Sequence, residues 1–368
     1  MNKNKMIALG IGTMMPLAVL LGCAVEKAPR PDAGQAATPV QPVAKSNGMP
    51  YFNQPAADSV ATTGFNANPN VQQFIEYQVR TNGFSRESMQ SFFDNVVYKG
   101  NIINIMEKPG TSRPWYEFRT GNAGGDRIAG GQSFYEQNRQ VLDQVARQYG
   151  VPAEVLVAII GIETNYGRNT GSFRLADALA TLAFEYPRRS QYFQNELNEM
   201  LLMAREERED SLSFKGSYAG AMGMPQFMPS SFRKWAVDFD GDGHRNIWGS
   251  VPDAAASVAN YMKAHGWQTG GKIVVPVSLQ PNPQLQAIID GNTAMKYTVG
   301  QLRQMGVSPL GAVEDHELAV LFSLETSPGV FEYYIGLNNF YTIWQYNHSR
   351  MYVTAVRDIA NGVGGSDL

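Results

Sequence analysis

The chain has 368 residues, with 30 Lys and Arg against 33 Asp and Glu, a formal net charge of −3 and 43% hydrophobic residues. That length allows roughly two or three compact units with real cores, and the near-neutral balance lacks the clustered positive field that nucleic-acid phosphates require. The 17 Tyr, 18 Phe and 5 Trp fit cores and sugar-binding grooves alike, and composition alone does not separate these uses.

At the N-terminus, Lys3 and Lys5 precede an apolar stretch from Met6 to Leu21 that ends in Leu20-Leu21-Gly22-Cys23. A short basic region followed by a short apolar one reads as a secretory signal over residues 1–22, and the stretch falls short of the ~20 residues of a stable membrane span. Leu-Leu-Gly-Cys resembles the lipobox of bacterial lipoproteins, in which the signal is cut before the Cys and the Cys is acylated. Cys23 is the chain's single cysteine, so no internal disulfide can form. Ala24 in place of Asp favours, by the same resemblance, the periplasmic face of the outer membrane of a Gram-negative cell. Residues 23–65 then read as an extended tether rich in Pro, Ala, Gln and Thr.

From about residue 66 the pattern turns helical. Val71, Phe74, Ile75 and Val79 recur at helix spacing, and Ser85 opens a second helix with Met89, Phe92, Phe93 and Val96 on a stripe. Phe134 to Tyr149 is amphipathic and stopped by Gly150. Pro152 opens the next helix, sitting where a missing N–H costs nothing, and Pro187 is expected to open another. Beyond Trp267 the composition changes. Lys272–Val277, Leu318–Ser323 and Val330–Tyr334 read as strands of a small antiparallel β unit over residues 268–336. One final helix is expected over about Asn338–Ala360, within residues 337–368 that return to the core.

The helix opened by Pro152 is apolar nearly all round and ends in Gly161-Ile162-Glu163-Thr164-Asn165. Burial and the negative end of the helix dipole both oppose ionisation of Glu163, so its pKa should be raised. A carboxylic acid kept protonated near neutrality suits the general acid of glycosidic cleavage. A Glu that simply reaches solvent at the helix end fits this helix equally well. Two further stretches bear on the choice. Gly216–Pro229 is too rich in Gly and small residues for an ordinary core helix; it lets backbone approach a ligand and presents Ser217, Gln226 and methionines to it. Asn338–Asn347 alternates Asn and Tyr with apolar residues, as a groove that stacks on sugars would.

Asp238-Phe239-Asp240-Gly241-Asp242-Gly243-His244 has the carboxylate, glycine and carbonyl positions that open an EF-hand loop. The twelfth position is Gly249, which supplies no bidentate ligand, so a longer loop closed by Asp253 is the alternative. Crowded carboxylates favour a bound cation, expected to be a structural Ca²⁺; a metal-free Asp/Gly turn is the competing reading. The four histidines show no metal-ligand spacing, and only the His244 carbonyl is implicated.

Glu-Thr-Asn-Tyr-Gly, Gly-Ala-Met-Gly-Met-Pro-Gln-Phe-Met-Pro-Ser and Asn-Asn-Phe-Tyr…Tyr-Asn-His-Ser closely resemble the membrane-bound lytic murein transglycosylase B family from about residue 70 onward. The resemblance implies a mainly α (α+β) protein, with an added α-helical domain and a lysozyme-like catalytic core together in residues 66–267, followed by the small β domain. It implies cleavage of the β-1,4 bond between N-acetylmuramic acid and N-acetylglucosamine in peptidoglycan strands, leaving 1,6-anhydromuramoyl ends, with Glu163 as acid and then base. Ordinary glycosidases use two carboxyl groups; Asp177 and Glu185 lie nearby in sequence but read equally well as helix surface. The family's binding residues fall on Ser217, Gln226, Tyr341, Tyr346, Arg188, Arg189, Tyr192, Tyr261 and Tyr116, and the two arginines suit lactyl and peptide carboxylates. The family's calcium loop closes on a late Asp, here Asp253, with one additional residue before it. A hydrolase of the lysozyme type and a non-catalytic peptidoglycan-binding lipoprotein that scaffolds other cell-wall enzymes are the alternatives.

Overall fold

A computed structural model describes residues 49–54, 58–108, 113–364 and 367–368; Cys23 and the expected signal lie outside them. The chain begins with helices α1 (Val60–Thr63), α2 (Pro69–Asn82), α3 (Arg86–Asn95), α4 (Gly100–Glu107) and α5 (Trp115–Asn122). Asn68 caps α2 and Ser85 caps α3 through their side chains, as small polar residues do where the first amides lack partners. Packing on the body starts before residue 65: the Phe52 ring meets Phe74 and Tyr77, and the Phe52 amide and carbonyl both pair with Gln194.

The long α6 (Gly125–Tyr149) and α7 (Ala153–Thr164) follow, the latter with every residue from Val155 to Gly161 buried. A two-residue strand β1 (Phe173–Arg174) leads into α8 (Leu175–Glu185) and α9 (Ser190–Glu207). Pro187 therefore does not open α9. It stands in a turn in which the Arg189 amide donates to the Tyr186 carbonyl, and the helix starts at Ser190; proline suits a turn as readily as a first helical position. Strand β2 (Lys215–Gly216) pairs antiparallel with β1, and α10 (Pro229–Trp235) and α11 (Val251–Ala264) complete this part. Among the described residues no single helix is long and apolar enough to cross a membrane.

The β unit holds β3 (Val274–Ser278), α12 (Pro283–Ile289), β4 (Tyr297–Thr298), α13 (Val299–Gln304), β5 (Ser308–Pro309), β6 (Leu318–Ser327) and β7 (Val330–Gly336). The sheet is antiparallel in the order β4-β6-β7-β3-β5. Its alternation explains the continuous apolar run in β6. Val320, Phe322 and Leu324 join the main core, while Ala319 and Leu321 pack with Leu285, Ile289, Val299 and Leu302 in a second one. Both faces are covered, so successive residues are apolar although the side chains alternate.

The C-terminal stretch is two helices rather than one: α14 (Asn338–Tyr346) and α15 (Arg350–Gly364). The break falls at Asn347-His348-Ser349, where the Ser349 hydroxyl accepts from the Tyr352 amide at 3.2 Å and starts the new helix. Helix α15 packs on α7 and α6, bringing a distant part of the sequence against the end that carries Glu163.

Candidate active site

The site is built around the way α7 stops. Asn165 (φ 51°) and Tyr166 (φ 62°) both adopt left-handed backbone directly after Thr164, a conformation costing an L-residue about 1–2 kcal/mol. The Asn165 amide donates to the Gly161 carbonyl at 2.9 Å. The Tyr166 ring folds back over Gly161, where a Cβ would stand 2.5 Å from Tyr166 Cε1, so glycine is required there. Arg127 of α6 secures the turn: its Nη1 donates to the Gly161 carbonyl at 2.7 Å and to Asn165 Oδ1 at 2.9 Å. Thr164 Oγ1 lies 3.2 Å from the Met224 carbonyl and accepts from the Gly167 amide at 3.0 Å. These contacts hold the Gly-Met segment against the end of α7.

Glu163 is half-buried. Its Oε1 accepts a hydrogen bond from the Tyr352 hydroxyl at 2.7 Å, and Oε2 has no hydrogen-bond partner among the described residues. Desolvation pushes the carboxyl up to about 7, opposed by the Tyr352 hydrogen bond, with no contribution from another carboxylate. The Tyr352 and Tyr346 hydroxyls are both held well above the usual phenol range, first by burial and then by the negative charge of Glu163. Both therefore remain protonated donors. A neutral acid with one oxygen held and the other free can give up a proton and then be stabilised as a carboxylate by the same tyrosine.

Tyr346, Tyr261 and the Gly-Met segment enclose this carboxyl. The Tyr346 hydroxyl donates to the Pro225 carbonyl, and its ring centre lies 4.9 Å from that of Tyr261. Tyr261 donates to the Gln345 carbonyl at 2.9 Å and stacks on His265 at 3.8 Å; burial pushes its hydroxyl up to about 12. Gln226, at φ 50°, donates from Nε2 to the Gly223 carbonyl at 2.9 Å and the Thr170 carbonyl at 3.3 Å, spanning to the loop beyond Glu163. Buried Ser217 accepts from the Ala219 and Ala221 amides at 3.3 and 3.0 Å, which leaves its hydroxyl proton available to donate.

The other expected groove residues form separate clusters. Exposed Arg189 lies over the Tyr192 ring at 4.3 Å at the start of α9, and exposed Arg188 stands beside it. Burial, followed by the nearby Glu196, pushes the Tyr192 hydroxyl up. Tyr341 stacks on Trp344 at 5.3 Å, continuing to His348. Tyr116, half-buried on α5, faces Glu325 of β6.

The two other acids are engaged elsewhere. Asp177 is not helix surface: it is 3% exposed, paired with Arg174 at 2.6 Å, and accepts from the Val97 amide. Glu185 accepts from Ser59 Oγ and the Val60 amide at 2.8 and 2.7 Å, holding the N-terminal segment.

In the acidic loop, Asp238, Asp240 and Asp253 bring carboxylate oxygens within 4.8 Å of one another. Asp253 is fully buried at the start of α11, and burial raises its pKa against the hydrogen bonds from the Phe239, Asn246 and Asp240 amides. An all-oxygen donor set of this kind fits a hard cation. Asp242 accepts from the His244 amide at 2.8 Å and does not belong to the trio.

Residues 66–361 match the family model described as Transglycosylase SLT domain. The chain is 40% identical over 362 residues to the membrane-bound lytic murein transglycosylase B of Escherichia coli (strain K12), covering 95% of this chain and 96% of the relative. Among solved structures it resembles the lytic transglycosylase SltB1 of Pseudomonas aeruginosa, with 42% identity, 81% and 97% of the two chains covered and a TM-score of 0.78. It also resembles the E. coli lytic transglycosylase Slt35 in complex with calcium, with 42% identity, 80% and 93% covered and a TM-score of 0.73. SltB3 of P. aeruginosa in complex with NAG-NAM-pentapeptide matches at 31% identity, with 81% and 79% covered and a TM-score of 0.71.

Proposed function

The chain belongs to the lytic murein transglycosylase B family of SLT-domain enzymes and is a peptidoglycan lytic transglycosylase, and we propose that Glu163 serves it as acid and then as base. The observation that carries this reading is the Glu163 carboxyl, raised to about 7 with no second carboxylate acting on it among the described residues and with Tyr352 bound to one oxygen. Protonated Glu163 gives its proton to the oxygen linking muramic acid C1 to glucosamine C4. The C1–O bond breaks, and the glucosamine leaves with its 4-hydroxyl restored. The muramoyl acetamido oxygen supports the positive C1. Glu163, now a carboxylate, takes the proton from the muramoyl C6 hydroxyl as O6 bonds to C1, closing the 1,6-anhydro ring and restoring the acid. Attack from within the ring has a large advantage in effective concentration over attack by water.

Ser217, Gln226, Tyr261 and Tyr346 contact the sugars nearest the acid, while Tyr341, Tyr192 and Tyr116 extend the groove. Arg188 and Arg189 meet substrate carboxylates. The acidic loop takes a structural Ca²⁺ through Asp238, Asp240 and Asp253, with Asp242 and the His244 carbonyl completing the set. The ion stabilises the loop and takes no part in the chemistry. Acylated Cys23 holds the enzyme at the periplasmic face of the outer membrane, where the glycan strands and other wall enzymes are its neighbours.

Digested sacculi are expected to release 1,6-anhydromuramoyl products, read by mass spectrometry. Glu163→Gln should abolish turnover while sparing binding. Reducing-end products alone would replace this route with hydrolysis, and substantial activity in the variant would remove Glu163 from its role.

A further inference from the structure

A cavity of about 520 Å³ opens where α5, the start of α6 and the turn after Glu163 meet, lined by Thr120, Gly124, Asp126, Arg127, Asn165 and Arg168 among others. Its size falls in the usual range for small-ligand sites. Arg127 is half-buried, and desolvation lowers its pKa, with no carboxylate acting on it. Neither Arg127 nor Arg168 has an acidic partner among the described residues. Burying a cation without a counter-charge is costly, so a bound anion would be favoured on electrostatic grounds. Gly124 caps α6 without a side chain, leaving the first amides and the positive end of the helical stretch that runs to the kink at Asn138 at the same place.

The cavity adjoins the turn that follows Glu163, and α5 on its other side carries Tyr116. Arg127 grips the Gly161 carbonyl and Asn165, on either side of Glu163. Thr120 lies one turn from Tyr116 on α5 and donates to its carbonyl at 2.9 Å.

We propose that the cavity receives the stem peptide of the muramoyl residue, with Arg127 and Arg168 on its carboxylates. Asp126, the acid in the lining, faces the amino group of the peptide's diamino acid. Two guanidinium groups and one carboxylate suit such a zwitterionic chain better than a simple anion such as phosphate. The assignment rests on the transglycosylase reading above.

The test compares kcat/KM on soluble strands that carry stem peptides with strands stripped by an amidase, which leaves the lactyl carboxylates in place. Arg168→Ala is expected to lower the ratio of peptide-bearing to stripped turnover about tenfold, the loss of a charge-assisted contact. Asp126→Asn leaves the Arg127 contacts with the turn in place, removes the carboxylate that faces the diamino acid's amino group, and should lower the same ratio. An unchanged ratio in both variants, or an equal loss on both substrates, overturns the proposal; the latter points to the lactyl group or to the turn itself. If the unaltered enzyme cleaves neither substrate, the transglycosylase reading fails instead.

Discussion

At the scale of single residues, the raised pKa of Glu163 ties its proposed acid–base role to stability. The carboxyl titrates near 4.5 in the unfolded chain and near 7 in the folded one. Below pH 4.5 both states hold the proton and the group is neutral in its effect. Between 4.5 and 7 the unfolded chain releases the proton while the folded chain keeps it, so stability falls as pH rises. Above 7 the deficit levels off at about 3 kcal/mol. Glu163→Gln removes this titration and still accepts from Tyr352. Its melting temperature should therefore match that of the parent below pH 4.5 and exceed it increasingly up to pH 8, followed by circular dichroism. A pH-independent difference would mean that the carboxyl titrates normally. Glu163 was legible in the sequence because an apolar run delivered it to a helix end. Tyr352, which holds it, was not, because a tyrosine among apolar helix positions reads as core until the tertiary partner of its hydroxyl is known. Asp177 read as helix surface for the same reason: its partners come from residues 97 and 99 as well as from Arg174.

At the scale of elements, helices with strong periodicity and a cap were legible, as with Ser85 before α3 and Pro152 before α7. The short pieces β1, β2, β4 and β5 were not, since two-residue strands exist only through their partners. The division of the C-terminal stretch carried a signal in Ser349, three residues before Tyr352, that the aromatic pattern on either side obscured. In the acidic loop, spacing singled out Asp238 and Asp240, and the fold brings a carboxylate oxygen of the buried Asp253 within 4.8 Å of theirs. Three carboxylates that converge without a cation repel one another, so calcium should raise the melting temperature and a calcium chelator lower it. At about a hundredfold excess over Kd the gain is about 2.7 kcal/mol, several degrees for a domain of this size. Asp253→Asn should abolish the calcium-dependent part of the shift. A melting temperature indifferent to both calcium and chelator would leave the loop as a metal-free turn.

At the scale of the whole molecule, the site exists only because four distant stretches meet. The end of α7, the Gly-Met segment, α11 and the C-terminal pair all contribute, with α15 packed on α7. The motifs marked these stretches, but their distances from one another depend on packing that no local pattern encodes. The N-terminal side has a comparable logic. Phe52 pairs with Gln194 on the body, so the chain is already docked there. Only the stretch from Cys23 to about Met49 is then left to reach from a membrane. A stretch of that length spans at most about 90 Å, which bounds how far from the bilayer the enzyme could work on the proposed anchor. Acylation at Cys23 should therefore decide location without altering the active site. Full-length protein is expected to sediment with membranes and Cys23→Ser to stay in the soluble fraction, with equal turnover of purified soluble strands. Sedimentation of Cys23→Ser with membranes would place the anchor elsewhere. Unequal turnover would mean that the anchor acts on the site and not only on its address.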